Sequence, residues 1–260
     1  ITPSAGAKIK VVAANYTGIS APFSLKGLKV TSPTSGAVWE DGVLYSVSWA
    51  TAGITGTVNI FYSPDDGATY PTQLNVAAVD ITAGEFQWTA DAFAALPSST
   101  AKIKVEVVSG ADTGLAAESE TFVFKAIRPT APTAGDTWQL LGTESITWYS
   151  AAAGALINLY YAADGVTWPA EPLNTETILL ADGVQSYVWA IPGTVLPADG
   201  TARIKYLSDT GVEAISEAFS MRGIKVLQPD GNSIWAAGIG PEFTQTIRWQ
   251  ASPATGPFDV

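Results

Sequence analysis

Residues 33–49 read PTSGAVWEDGVLYSVSW, and this stretch decides the fold because its pattern returns twice along the chain. Residues 132–148 read PTAGDTWQLLGTESITW, and residues 229–249 open on PDGNSIW and close on RW. The opening proline recurs after 99 and then 97 residues, and the closing tryptophan recurs after 99 and then 101 residues. A period of about 100 residues indicates tandem copies of one small domain.

Two later patterns follow the same period. A basic-apolar-Lys strand recurs at 8–10, 102–104 and 203–205, and a closing strand that begins with Phe recurs at 23–25, 122–124 and 219–221. Together they predict four segments: 1–27 as the C-terminal strands of a preceding repeat, 28–126 and 127–223 as full repeats, and 224–260 as the N-terminal strands of a following repeat. One residue, Gly27, Ala126 or Gly223, separates successive repeats, which predicts a semi-rigid rod without flexible linkers.

Within residues 28–126, apolar residues alternate with small or polar ones over short runs bounded by turn residues. Such alternation is typical of half-buried strands. Strands are predicted around 28–30, 43–49, 58–62, 74–76, 86–88, 103–107 and 122–124. Seven strands in one repeat predict an all-β chain of tandem seven-stranded Ig-like or fibronectin III-like β-sandwiches.

The tryptophans divide into two predicted groups. Trp49 and Trp148 close a strand alternation and are predicted to fill the core between the sheets. The earlier tryptophans are predicted to close the end of the sandwich or the seam with a neighbouring repeat; they are Trp39, Trp138 and Trp235.

The composition excludes several classes of function. The formal net charge of −11 argues against nucleic acid as a partner, because phosphate binding needs basic patches. The chain has no Cys and no His, which excludes disulfides, Cys/His zinc sites and Ser-His-Asp triads. The acid pairs Glu40–Asp41 and Glu118/Glu120 are interpreted as solvated charges, so no enzyme is predicted. No apolar run is long enough for a transmembrane segment.

The turn after the strand predicted at 58–62 carries a local motif. Residues 63–70, SPDDGATY, resemble the Asp-box of sialidase propellers, which implies a hairpin staple remote from any catalysis. Asp65 and Asp66 supply two carboxylates there, from which calcium binding is a hypothesis. Tyr70 and Trp168 stand at equivalent hairpin tips, and the hypothesis for them is that they are exposed aromatics on which a glycan stacks.

The repeat as a whole combines Pro-x2-Gly-x2-Trp, a strand ending in Trp and a Tyr-Ser-x-Asp-x-Gly hairpin. This pattern resembles the Ig-like repeats of fungal Ser/Thr-rich GPI-anchored cell-wall proteins and of bacterial and archaeal surface proteins, S-layer and filament proteins among them. The resemblance implies an extracellular or cell-surface location and transfers no catalytic residue.

Two functional hypotheses follow. The first is a structural cell-surface repeat protein (S-layer, sheath, extracellular filament or adhesin stalk) whose partners are copies of itself or other surface proteins. The alternative is a carbohydrate-binding or adhesive module of a secreted multidomain protein, whose partners are glycans.

Overall fold

The computed structural model describes residues 1–235 and 244–252, and the chain divides into two compact units. Unit 1 contains residues 1–126 with 150–152, and unit 2 contains residues 127–149 with 153–260. The peptide bonds before Pro33, Pro132 and Pro229 are all cis.

Short strands dominate the described residues. From the N-terminus they are β1 (Ser4–Ala7), β2 (Lys10–Ala13), β3 (Tyr16–Ile19), β4 (Phe23–Leu25), β5 (Gly27–Ser32), β6 (Val38–Glu40), β7 (Leu44–Ala52), β8 (Thr57–Ser63), β9 (Thr72–Gln73), β10 (Val79–Asp80), β11 (Glu85–Thr89), β12 (Ser98–Val107) and β13 (Ala116–Glu118). They continue as β14 (Phe122–Ala131), β15 (Thr137–Gln139), β16 (Thr143–Ala151), β17 (Leu156–Ala162), β18 (Ile178–Leu179), β19 (Gly183–Ala190), β20 (Ala198–Ser208), β21 (Glu213–Ile215), β22 (Phe219–Gln228) and β23 (Arg248–Ser252). A single 3-10 turn spans Ile81–Ala83, and no helix among the described residues is long and apolar enough to cross a bilayer.

Unit 1 contains a two-sheet sandwich. The smaller sheet is antiparallel, in the order β11-β7-β5. The larger sheet pairs β8 with β12 and β12 with β14, and its edge strand β6 runs parallel to β14. The alternation seen in the sequence puts Val47 and Trp49 of β7 into the core, where both are buried. This arrangement confirms the predicted all-β sandwich fold.

The aromatic core of unit 1 gathers around Trp39. Its ring stacks on Tyr45 with centroids 4.8 Å apart and also packs against Phe122 and Trp88. Trp49 lies elsewhere in the same core and donates from Nε1 to the carbonyl of Ile81 over 2.8 Å. The predicted core position of Trp49 is confirmed, whereas Trp39, predicted at the end of the sandwich or at a seam, is buried in the core of unit 1.

Unit 2 repeats the arrangement. Its smaller sheet is formed by β14 from Ile127 onward, β16 and β19, and its larger sheet has the order β15-β22-β20-β17-β18. Trp148 is fully buried, as predicted, and its Nε1 donates to Oε1 of Gln185 over 3.0 Å. Trp138 packs on Phe219 at 4.8 Å between centroids, so it too lies inside its own unit.

Two details of the predicted strands are wrong. The strand predicted at Leu74 and Val76 does not form: the ladder ends at Gln73, and Val76 is fully exposed in a bend. Residues 1–27 contain four short strands where two were predicted: the closing strand forms as β4, and the others are β1, β2 and β3, with β1 paired to β4 and β2 paired to β3. Part of the fourth predicted segment, 236–243 and 253–260, lies outside the described residues.

Candidate binding surface at the repeated hairpin

The turn between β8 and β9 is stapled by Asp65. Its Oδ1 accepts from Ser63 Oγ at 2.7 Å and from the Thr69 amide at 2.8 Å, and its Oδ2 accepts from Thr69 Oγ1 at 2.6 Å. The hydrogen bonds from Thr69 hold the pKa of this carboxyl below its ordinary value. The carboxylate therefore stabilises the turn, as the resemblance to an Asp-box implies.

Asp66, the second acid of the calcium hypothesis, is also engaged. Its Oδ1 accepts from Thr121 Oγ1 at 2.8 Å and lies 3.0 Å from Nζ of Lys102. The hydrogen bond from Lys102 lowers the pKa of Asp66. Within residues 1–235 and 244–252, no group of three or more Asp, Glu, His or Cys is arranged to hold a metal ion. Calcium binding by Asp65 and Asp66 stays a prediction, and a bound ion would compete with the Lys102 ammonium.

The equivalent turn of unit 2 uses one acid. Asp164 Oδ1 accepts from the amides of Val166 at 3.0 Å and Thr167 at 2.8 Å. Hydrogen bonds from Thr167 lower the pKa of Asp164 to about 2. Gly165 closes this turn at φ +73, and a β-carbon there would lie 2.7 Å from the Thr201 carbonyl oxygen, so the turn requires glycine.

The two aromatics of the glycan hypothesis are half-buried beside a lysine. Lys104 Nζ lies 4.8 Å from the ring centroid of Tyr70, and Lys205 Nζ lies 5.1 Å from that of Trp168. Each ammonium also contacts a second aromatic ring: Phe61 for Lys104 and Tyr160 for Lys205. This cation–π contact occupies part of each ring, so Tyr70 and Trp168 are less exposed than predicted.

The Tyr70 hydroxyl is buried. Burial raises the pKa of Tyr70, and the neighbouring Glu118 carboxylate raises it further. The phenol therefore stays neutral at physiological pH and contributes its ring as an uncharged surface.

Trp168 also forms one wall of a cleft in unit 2. The cleft has a volume of about 880 Å³. Its aromatic lining comes from Tyr161, Trp168 and Trp189, and its rim carries three acids, Asp164, Glu171 and Asp199. Concave sites with aromatic walls and a few polar groups are the usual form of small-ligand sites. The cleft brings Trp168 together with Tyr161 of β17 and Trp189 of β19.

A buried asparagine behind each hairpin was not predicted. Asn75 Oδ1 accepts from the Ile60 amide at 2.8 Å, and its Nδ2 donates to the Ala77 carbonyl at 2.9 Å. In unit 2, Asn174 makes the same bonds with the Leu159 amide and the Glu176 carbonyl. The common sequence signal is a Leu-Asn pair that ends each hairpin segment, at 74–75 and 173–174.

Both acids of the pair Glu40–Asp41 interact with other groups. Glu40 Oε1 lies 3.1 Å from Nζ of Lys125, so it is paired on the surface. Asp41 accepts from the Ala92 amide at 2.7 Å, and burial raises its pKa. Glu40 and Asp41 therefore each have a structural partner.

Comparison with known proteins finds likenesses of structure alone. No protein-family model matches the chain, and no curated protein matches it. Fibronectin(III)-like modules of CbhA from Clostridium thermocellum align over 75% of this chain and 92% of theirs, with 16% identity and a TM-score of 0.23. The N-terminal eight Ig domains of Down Syndrome Cell Adhesion Molecule align over 85% of this chain and 27% of theirs, with 11% identity and a TM-score of 0.33.

A titin tandem, I9–I11, aligns over 85% of this chain and 74% of its own, with 12% identity and a TM-score of 0.23. The chain is an all-β tandem. At these identities and TM-scores the likenesses carry no argument for a function, and the assignment of the fold stands on the strand order and registers given above.

Proposed function

We propose that this chain is a structural segment of an extracellular surface protein, of the S-layer, sheath, filament or adhesin-stalk kind, in which tandem sandwiches form a semi-rigid rod. The proposal rests on one observation: the same strand register recurs at three points along the chain. Phe23, Phe122 and Phe219 begin closing strands that pair with Ala7, Ala101 and Ala202, each beside an irregularity in the register. A protein made of tandem copies of one domain, with one residue between copies, is suited to span the distance between its two ends.

The same register supports the proposed boundaries, 1–27, 28–126, 127–223 and 224–260. Residues Ile9 and Val11 occupy the positions of Ile103 and Val105 in the next copy of the register. The latter pair is fully buried, whereas Ile9 and Val11 are 57% and 63% exposed. Exposed apolar residues at core positions support the proposal that 1–27 are the closing strands of a preceding repeat.

The proposed joints are short in sequence and in strand structure. Residues 23–30 read FSLKGLKV and residues 219–226 read FSMRGIKV, and strands β14 and β22 run without a break across the proposed boundaries. A joint inside a strand leaves few rotatable residues, in contrast to a Gly/Ser linker. This feature supports a semi-rigid rod over freely jointed beads.

Small-angle X-ray scattering of the chain tests the rod. We expect one narrow distribution of maximum dimensions, because only one residue lies between successive proposed repeats. A matched variant with six Gly/Ser residues inserted between Ala126 and Ile127 is expected to broaden that distribution while keeping the same circular dichroism spectrum. A broad distribution for the unmodified chain, indistinguishable from that of the linker variant, would refute the rod.

The cleft of unit 2 favours a second candidate, the carbohydrate-binding or adhesive module, in which Trp168 and, at the equivalent hairpin, Tyr70 stack on sugar rings. Trp168 offers the part of its ring that faces the cleft, and the acids of the rim accept hydrogen bonds from sugar hydroxyls. The net charge of −11 favours neutral or cationic glycans over anionic ones.

Glycan-array binding followed by calorimetry on any hit tests this candidate. Trp168→Ala is expected to weaken binding about tenfold or more, since an aromatic platform contributes on the order of 1 kcal/mol beyond its buried area. Tyr70→Ala probes the other hairpin, and Phe93→Ala, an exposed aromatic outside both hairpin sequences, is the control. Binding that survives Trp168→Ala unchanged, or no binding by the unmodified chain, would remove the glycan role.

A further inference from the structure

The cleft of unit 2 carries negative charge that the protein does not neutralise. In the described part of the chain no lysine or arginine lines it, and its charged lining residues are all acidic: Asp164, Glu171 and Asp199. These three acids take part in none of the ion pairs formed by the described residues. Lys205, the cation on the Trp168 ring, is paired with Glu213 at 3.9 Å. The cleft therefore favours a cationic ligand.

Hydrogen-bond donors are scarce in the same cleft. Thr201 Oγ1 donates to the Ala163 carbonyl at 2.7 Å, and Gln250 Nε2 donates to the Pro197 carbonyl at 2.9 Å, so both donors are used within the protein. Prolines, which have no backbone N–H, supply four of the lining residues: Pro169, Pro172, Pro192 and Pro197. The lining therefore favours a ligand that donates more hydrogen bonds than it accepts.

One hydroxyl of the lining has no partner. Ser252 lines the cleft and is only 7% exposed, and its buried Oγ makes no hydrogen bond with any residue that the structure describes. A hydroxyl buried without a partner costs free energy. A ligand that bonds the Ser252 hydroxyl, directly or through a water, removes that cost.

The two exposed acids of the rim are particular to unit 2. Counting back from the Leu-Asn pair that both repeats share, Thr72 stands in unit 1 where unit 2 has Glu171. Counting onward from the equivalent pairings of β12 with β14 and of β20 with β22, Ser99 stands where unit 2 has Asp199. The sandwich fold therefore does not require an acid at either position, and a ligand gives these two a role.

We propose that the cleft of unit 2 binds a glycan that carries free primary amines, with a sugar ring on Trp168 and an ammonium held by Glu171 and Asp199. It is a ligand for the carbohydrate-binding candidate, and the proposal rests on that candidate. An ammonium brings three donors and a positive charge, and sugar hydroxyls bring further donors. A basic peptide matches the charge, but its backbone brings one carbonyl acceptor for each amide donor, which suits a donor-poor cleft less well.

Calorimetry of the whole chain with two oligosaccharides of one ring type tests the role of the amine. The probes are the tetramers of glucosamine and of N-acetylglucosamine, which differ in the acetyl groups that remove the positive charge. At low salt, and at a pH where the amines are protonated, we expect the glucosamine tetramer to bind about fivefold more tightly, the size of one exposed ion pair. Added salt is expected to lower this ratio of affinities, because it screens exposed charges.

Neutral variants of the two acids identify the groups that hold the amine. Glu171→Gln combined with Asp199→Asn is expected to bring the ratio of affinities close to one. Glu176→Gln is the control and is expected to keep the ratio, because it removes an exposed acid of unit 2 that does not line the cleft. Circular dichroism verifies that the variants fold. Equal affinities of the unmodified chain for the two tetramers, or a ratio that survives in the double variant, would overturn the proposal.

Further outcomes separate this ligand from the carbohydrate-binding candidate itself. Equal binding of the two tetramers that Trp168→Ala weakens keeps the glycan candidate and removes the amine. Tetralysine that binds as tightly as the glucosamine tetramer, with the same dependence on Glu171 and Asp199, makes the cleft a general cation site and overturns a glycan as its occupant. Failure of both tetramers to bind removes the amino glycan, while binding of another glycan on the array still supports the candidate.

Discussion

Replacing Trp148 with alanine is expected to lower the free energy of unfolding by about 3–5 kcal/mol, the usual cost of removing a large buried aromatic. Trp148 has no exposed surface and packs edge-on against Tyr206, with ring centroids 5.8 Å apart. The substitution also removes the donor that bonds Gln185. A cavity of this size in the middle of a two-sheet core is too large for neighbouring side chains to fill.

Urea unfolding followed by far-UV circular dichroism measures the loss. Trp168→Ala is the matched control, since that tryptophan is half-buried and its charged partner Lys205 reaches solvent. We expect the control to lose about 1 kcal/mol or less, as for other partly exposed contacts. Equal losses for the two variants would contradict the assignment of Trp148 to the core.

The repeat and the sandwich could be predicted from the sequence because both depend on features that recur at fixed spacings. A strand with one buried face alternates with period two, and Val47 and Trp49 show that period. A tryptophan that bridges the two sheets fills a fixed place in the core of its repeat. Trp49 and Trp148 therefore recur at the spacing of the repeat. Alternation does not reveal whether a tryptophan outside it, such as Trp39, lies in the core or at an end.

The surroundings of the hairpin aromatics depend on register between strands, which local sequence does not encode. Lys104 lies opposite Phe61 across β8 and β12, and Lys205 lies opposite Tyr160 across β17 and β20. These pairings bring each ammonium to the ring at the hairpin tip. The sequence placed Tyr70 and Trp168 at equivalent tips but predicted more exposure than they have, because the lysine is about 35 residues away along the chain.

The false strand at Leu74 and Val76 has a related cause. An alternating pair of apolar residues suggests a ladder, but the Asn75 side chain supplies the bonds that a strand would make. Its Oδ1 accepts a hydrogen bond from the Ile60 amide, and its Nδ2 donates to the carbonyl of Ala77, two residues further along the chain. Side chains of this type offer the backbone an alternative to sheet pairing. These hydrogen bonds of Asn75 leave the Val76 side chain exposed to solvent.

Replacing Asn75 with alanine is therefore expected to lower the free energy of unfolding by about 2–3 kcal/mol, because its side chain joins the loop to strand β8. The substitution leaves the buried Ile60 amide without its acceptor, and an unsatisfied buried group costs about 1–3 kcal/mol. It also removes the donor to the Ala77 carbonyl, which belongs to an exposed residue and can bond water instead. Asn75 is only 4% exposed, so water does not easily replace its amide.

Asn59→Ala is the matched control, measured by the same urea titration. Asn59 accepts one bond from Asn75 Nδ2 at 3.2 Å and is only partly buried, so its loss is expected to cost less than about 1 kcal/mol. Asn174→Ala should reproduce the larger loss in unit 2, because Asn174 holds the Leu159 amide in the same way. A loss for Asn75→Ala no greater than that for Asn59→Ala would mean that the loop is held by its backbone, and the shared asparagine would then be a remnant of repetition without a structural role.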